Sequence, residues 1–258
     1  MNKTQENSFS ENKVSQPISY LLLWVTLFSV AMGMLESSVV IYLRELYYPA
    51  GFHFPLKATS YTVVVTEIFR ELATLVMLLG IGMLAGKNKH ERFAWFIYSF
   101  AIWDIFYYVF LYLILGWPAS LSDWDVLFLL PMMWVGPVWA PALLSVLMIL
   151  FAGCILYFSK HRHDANPKLH EWMILITGAF LIIIAFCKDF YLYMTTHFPN
   201  IPDTELFFSK HTFEYAAQYV PVRFDILLFL FGCVVICIVI GRYVIRNKKD
   251  IIKSKIKF

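Results

Sequence analysis

Along the chain, long apolar runs alternate with short polar breaks. Six runs are long enough to cross the hydrocarbon layer of a bilayer as helices, which takes about 20 apolar residues. They cover residues 19–44, 62–86, 93–115, 137–158, 172–196 and 222–243. Residues 1–18 are polar and read as a disordered tail, 19–245 as one transmembrane helical domain, and 246–258 as a basic tail. "SVAMG" in the first run resembles a signal-peptide cleavage site. The apolar sequence continues past it through "SSVVIYL", so an uncleaved first span is expected.

Two segments depart from this alternation. Residues 126–158 are apolar for 33 positions, too many for one straight crossing, and Pro131, Gly136, Pro137 and Pro141 punctuate the first half. Proline interrupts helical hydrogen bonding. Residues 124–135 are therefore expected to form an interfacial or re-entrant piece before the fourth span, serving as a wall or lid, with the fourth helix starting near Pro137. In the loop 197–221, Leu206, Phe207, Phe213, Ala216 and Ala217 recur at near-helical spacing among Glu205, Lys210 and Glu214. That pattern predicts an amphipathic helix lying on the membrane surface. The expected fold class is all-α, a polytopic bundle of about six transmembrane helices.

Composition agrees with this reading: 60% of the residues are hydrophobic, 18% aromatic and only 15% charged. A soluble domain carries about 25% charged residues. The net charge of +3 is distributed as a topological signal. Fifteen Lys and Arg lie in the first tail, loops 87–92 and 159–171 and the stretch from Arg242 onward, against only Lys57 and Lys210 in the three opposing loops. The positive-inside rule then places both termini in the cytoplasm. Cys154, Cys187, Cys233 and Cys237 all fall in apolar runs, which argues against a disulfide framework. Cys233 and Cys237 share a helix face without histidine partners and read as small packing residues. The "KHRHD" turn and the basic last tail read as exposed cytoplasmic charge, and nothing points to nucleic acid.

The topology gives a pattern to the charges that interrupt the spans. Glu36, Glu67, Arg70, Glu71, Asp104, Lys188, Asp189, Arg223 and Asp225 all fall at the midplane or on the outer side. Arg44, Glu45, His53, Asp123 and Asp125 stand at the outer rim. An ionised residue at the bilayer centre costs about 2.5–3.5 kcal/mol on insertion scales. Glu67, Arg70 and Glu71 share one helix face by their i, i+3 and i, i+4 spacing, so that face must point into the bundle. These residues are candidates for one outward-facing site that binds a small polar solute or a proton.

Several chemistries find no support. No histidine lies within a span, against membrane haem and di-iron sites. Arg70 beside the carboxylates opposes a metal ion, and neither a metal nor another cofactor is expected. G-x-S-x-G and H-E-x-x-H are absent. Binding or transport of a small polar solute or proton leads. A lipid- or isoprenoid-modifying enzyme of the outer leaflet is one alternative, with Trp103, Trp117, Trp124, Trp134 and Trp139 as an aromatic wall. A non-catalytic membrane subunit or scaffold is another. The sequence leaves the catalytic residues and the oligomeric state open.

The segment "RFAWFIYSFAIWDIFYYVFLYLILGWPASLSDWDVLFLLPMMWVGPVWAPALLS" resembles a family of bacterial multi-pass membrane proteins, with weaker likeness around "EIFRELATLVML". The likeness covers about residues 92–145. It implies a bacterial cytoplasmic membrane location and a bilayer as the surrounding partner. No activity is attached to that family, so no residue role is carried over.

Overall fold

A computed structural model describes residues 17–57, 60–162, 165–202 and 210–256 of the chain. Seven helices and one two-stranded hairpin make up these residues. Helices α1 (Ile18–Tyr47), α2 (Tyr61–Ala85) and α3 (Lys89–Leu115) are followed by strands β1 (Trp124–Phe128) and β2 (Trp134–Pro137). Then come α4 (Trp139–His161), α5 (Leu169–His197), the short α6 (Lys210–Ala216) and α7 (Ile226–Ile256). All except α6 are long and apolar enough to cross a membrane, and they coincide with the six expected runs. The chain has the make-up of a multi-pass membrane protein.

Polar residues in the breaks stop and start these helices. Ser60 accepts a hydrogen bond from the backbone N–H of Val63 and caps α2. Asn88 does the same for His90 and Glu91 at the start of α3, and Gly116 closes α3 in the left-handed conformation (φ 65°). Such caps satisfy amide and carbonyl groups that a helix end leaves open.

Helix α3 packs against α1, α2 and α4, while α5 packs along α7. Contacts of α4 with α7 and of β2 with α5 join the two groups. The α5–α7 seam is close because glycine faces it from both sides. A Cβ on Gly232 would lie 2.7 Å from the Ile182 side chain, and one on Gly178 would lie 3.1 Å from the Gly232 carbonyl. Small residues permit this approach where lipid offers no hydrophobic drive for helix association.

Both ends of the bundle can be traced. The start of α1, the α2–α3 turn and the end of α4 line one cavity. At that end Arg162 donates to Asp250 (2.8 Å), and Arg246 donates to Glu171 (2.8 Å). The opposite end holds the hairpin, α6 and the loops that flank them.

Three expected segments take definite form. The piece at 124–135 lies in an antiparallel hairpin in which Trp124 pairs with Pro137, Asp125 with Gly136 and Phe128 with Trp134. Backbone groups there satisfy one another, and α4 begins at Trp139, two residues beyond Pro137. Among the described residues of the loop 197–221, Lys210–Ala216 is helical, while Glu205, Leu206 and Phe207 lie outside the described residues. The basic stretch from residue 246 continues α7 to Ile256. At 1.5 Å per residue, the 31 residues of α7 extend about 46 Å, beyond a hydrocarbon layer of about 30 Å. Most of the first tail, residues 1–16, lies outside the described residues.

Candidate functional site

The expected single cluster divides into two. The first gathers on α1, α2, α3 and the hairpin. Arg70 stands at its centre, ion-paired with Glu36 and donating from Nε and Nη2 to Glu67 Oε2 (2.9 and 2.7 Å). Glu36 also accepts from the Thr74 hydroxyl (3.2 Å) and is only 9% exposed. One turn on, both carboxylate oxygens of Glu71 accept the backbone N–H of Leu129 (3.1 and 2.9 Å), which clasps the hairpin to α2.

Asp125 lies opposite Gly136 on the hairpin and is only 3% exposed. Its Oδ1 accepts from Arg44 Nη2 (3.2 Å) and its Oδ2 from the Tyr108 hydroxyl (3.2 Å). Arg44 is buried too. Its guanidinium carbon sits 3.7 Å from the ring centre of Trp117 and 4.4 Å from that of Phe52. Planar guanidinium suits this arrangement, because it stacks on rings and bonds a carboxylate at the same time.

Neither Asp104 nor Glu71 has an ion pair among the described residues. Ser145 of α4 donates to Asp104 Oδ2 (2.8 Å). Glu36, Arg70, Glu71, Asp104, Tyr107 and Tyr108 line a cavity of about 110 Å³, together with Ser145 and the rings of Phe100, Trp103, Phe128, Trp134 and Phe186. The space is large enough to admit water or a small solute. The indole N–H groups of Trp103 and Trp134 are buried without a hydrogen-bond partner.

Charge is unbalanced across this group. Glu36, Glu67, Glu71, Asp104 and Asp125 are five carboxylates facing two guanidiniums, Arg44 and Arg70. Unpaired buried charge is expensive. Such a set is stable only with some acids protonated or with another cation present. Among the described residues no three or more His, Cys, Asp or Glu side chains are grouped to hold a metal ion.

The second group sits where α5 meets the start of α7. Lys188 donates to Asp225 (2.6 Å), and Asp189 accepts from the Tyr219 hydroxyl (2.6 Å) and from the Val222 N–H (3.0 Å). The lysine and the Leu228 amide hold the Asp225 carboxyl below its usual range, while burial and Asp189 push the Tyr219 hydroxyl up. None of these residues lines the 110 Å³ cavity, and Arg223 is exposed. Their contacts pin the 219–225 segment to α5. Glu45 and His53 are exposed at the rim, and Asp123 accepts the Ala119 and Ser120 amides of a tight turn (2.8 and 3.1 Å).

Of the expected aromatic wall, Trp103 and Trp134 line the cavity, Trp117 covers Arg44, and Trp124 and Trp139 pack on Phe224. Sequence reasoning missed Thr74, Tyr107, Tyr108 and Ser145. Ser145 was the detectable one, as a hydroxyl inside the otherwise apolar fourth span. No family model matches the chain, and no curated protein or solved structure matches it either.

Proposed function

We propose that this integral membrane protein binds a small polar solute, or takes up a proton, in the cavity at the hairpin end of the bundle. The observation that carries the reading is Asp104, a carboxylate without an ion pair among the described residues, on the wall of a cavity that it shares with Glu36, Arg70 and Glu71. A buried charge without a counter-charge weakens the fold, so its place on a cavity wall supports a ligand or a proton there. Polar groups at membrane depth face a bundle interior or a cavity and mark solute and proton pathways.

The cavity is lined in part by the hairpin, at the end of the bundle whose loops are poor in Lys and Arg. The basic end, with α7 running beyond the hydrocarbon, is the cytoplasmic one in this reading, so both termini lie in the cytoplasm of a bacterial cell. A fluorescent protein fused after Phe258 is expected to fluoresce and a periplasm-dependent phosphatase at the same point to stay inactive; the reverse pattern overturns the orientation.

The binding test uses the full chain in lipid nanodiscs and a panel of small amines, polyols, amino acids and carboxylates. At least one is expected to raise the melting temperature of the wild type and to lose that effect in Asp104→Asn. In vesicles, a trapped pH dye reports the proton arm. A panel with no active member together with a silent dye rejects the proposal.

A second reading has its own observation. An apolar cavity of about 350 Å³ lies between α2, the hairpin tip, α5 and α6, lined by Val64, Ile68, Leu129, Met132, Met133 and Phe213 among others. Leu129 separates it from the polar cavity through the clasp to Glu71. A lipid-modifying enzyme would place an alkyl chain there and its polar end at Glu71 and Arg70.

A further inference from the structure

We infer that the apolar cavity between α2, the hairpin tip, α5 and α6 holds one acyl chain of an anionic phospholipid, with the phosphate set at Lys57. The inference does not rest on solute binding in the polar cavity. It also places the polar end of the lipid away from Glu71 and Arg70, so that the lipid is held rather than converted.

Apolar side chains make up most of the wall. On α2 the wall begins at Tyr61, the first residue of that helix, and continues through Val64 and Val65 to Ile68. Seven residues at 1.5 Å each carry it about 10 Å along the helix. Phe190 and Met194 of α5, with Met132 and Met133 of the hairpin turn, complete this part. Water in a buried space needs several converging polar partners, so hydrocarbon matches these walls better. Thioether side chains adapt to a guest of varying shape. The cavity also lies between two helices that no seam closes, since α2 packs on α3 and α5 on α7. Phe69 of α2 and Leu192 of α5, neighbours in sequence of the lining residues, are exposed as lipid-facing side chains are.

The charge sits before the start of α2. Lys57 is part of the cavity wall, in the loop that precedes that helix, and among the described residues it has no ion pair. Tyr48, also on the wall, accepts the Lys57 backbone N–H (2.6 Å), and the ammonium lies 5.9 Å from the centre of the Tyr48 ring. A lysine without an acid partner says little at the basic end of the bundle. It says more here, because the three opposing loops hold only Lys57 and Lys210. Lys210 is the first residue of α6, which supplies another wall of the same cavity. A phosphate level with the start of α2 and a chain running toward Ile68 is the orientation a bilayer phospholipid already has. A zwitterionic lipid brings its own ammonium and gains less from Lys57.

The full chain in detergent is titrated with phosphatidylglycerol and phosphatidylcholine of identical acyl chains, and bound lipid is counted by native mass spectrometry. Wild type is expected to retain one phosphatidylglycerol about fivefold more tightly than phosphatidylcholine, the effect of one lysine on an anionic lipid. Lys57→Gln should remove that preference and leave phosphatidylcholine binding as it was. Anionic lipid gathered at the basic end is cancelled by the same comparison, because it is common to both proteins. Val64→Phe, and separately Ala216→Phe, should fill the cavity and release both lipids, with a thermal melt showing that each variant is folded. Equal binding of the two lipids by wild type, or a preference that survives Lys57→Gln, overturns the inference. Oleate that binds as tightly as phosphatidylglycerol overturns it in favour of a free fatty acid. A dimer mass that the filled variants lose overturns it in favour of a second copy of the chain. If Glu71→Gln releases the lipid and Lys57→Gln does not, the polar end lies at Glu71 and the enzyme reading takes the cavity. None of these outcomes bears on the solute panel, whose failure in turn leaves lipid retention standing.

Discussion

Replacing Arg70 by Met is expected to destabilise the bundle by about 3–5 kcal/mol, because it strands two carboxylates that share one guanidinium. Glu36 is 9% exposed and keeps only the Thr74 hydroxyl, and Glu67 loses both of its bonds to Arg70. Thermal or denaturant unfolding in detergent measures the loss. The triple change Arg70→Met with Glu36→Gln and Glu67→Gln should recover most of it, since neutral amides carry a smaller desolvation cost. Recovery matters more than the loss itself. A destabilised single variant that the triple change fails to rescue would mean that Arg70 acts through packing of its stem, and the charge account of the cluster would have to be abandoned.

The six spans were legible because their signal is thermodynamic and local: a run of about 20 apolar residues has few other places to go. The extension of α7 was not, because hydropathy ends at the membrane surface while helix propensity does not. Lys248, Lys249 and Lys253 are good helix formers, and Tyr243 and Arg246 tie the extension back to Ala165 and Glu171. The hairpin was hidden for a different reason. A continuous apolar run carries no period of 2 or 3.6 by which to choose strand over helix, so only its proline and glycine breaks showed.

The position of each charged residue along its helix was legible, but azimuth was not. Topology grouped Glu67 and Asp189 as one expected site, yet α2 faces α3 while α5 faces α7. Hence Glu36, Glu67, Arg70, Glu71 and Asp104 meet, and Lys188, Asp189 and Asp225 form a separate tie. Asp125 illustrates the limit most clearly. The sequence places it only at the rim, and its buried ion pair is with Arg44, 81 positions away in the chain.

That pair gives the second large effect. Arg44→Leu is expected to cost about 3–5 kcal/mol by leaving Asp125 buried without a cation, and the damage should concentrate in the hairpin. Hydrogen exchange at the amides of Val126 and Val135 should accelerate in step with the loss of stability, while exchange along the α5–α7 seam stays slow. Arg44→Lys should fall between the two. Its ammonium keeps a charge near Asp125 but gives up the planar stack on Trp117 and Phe52, a contribution of about 1–2 kcal/mol in a desolvated setting. Adding Asp125→Asn to Arg44→Leu should restore slow exchange if charge is what anchors the strand. If the hairpin stays fully protected in Arg44→Leu alone, its hold comes from the Glu71–Leu129 clasp and the stacking of Trp134 on Phe186. The wall of the polar cavity would then hang on α2 and α5, and the same change at Glu71 would be the one that opens it.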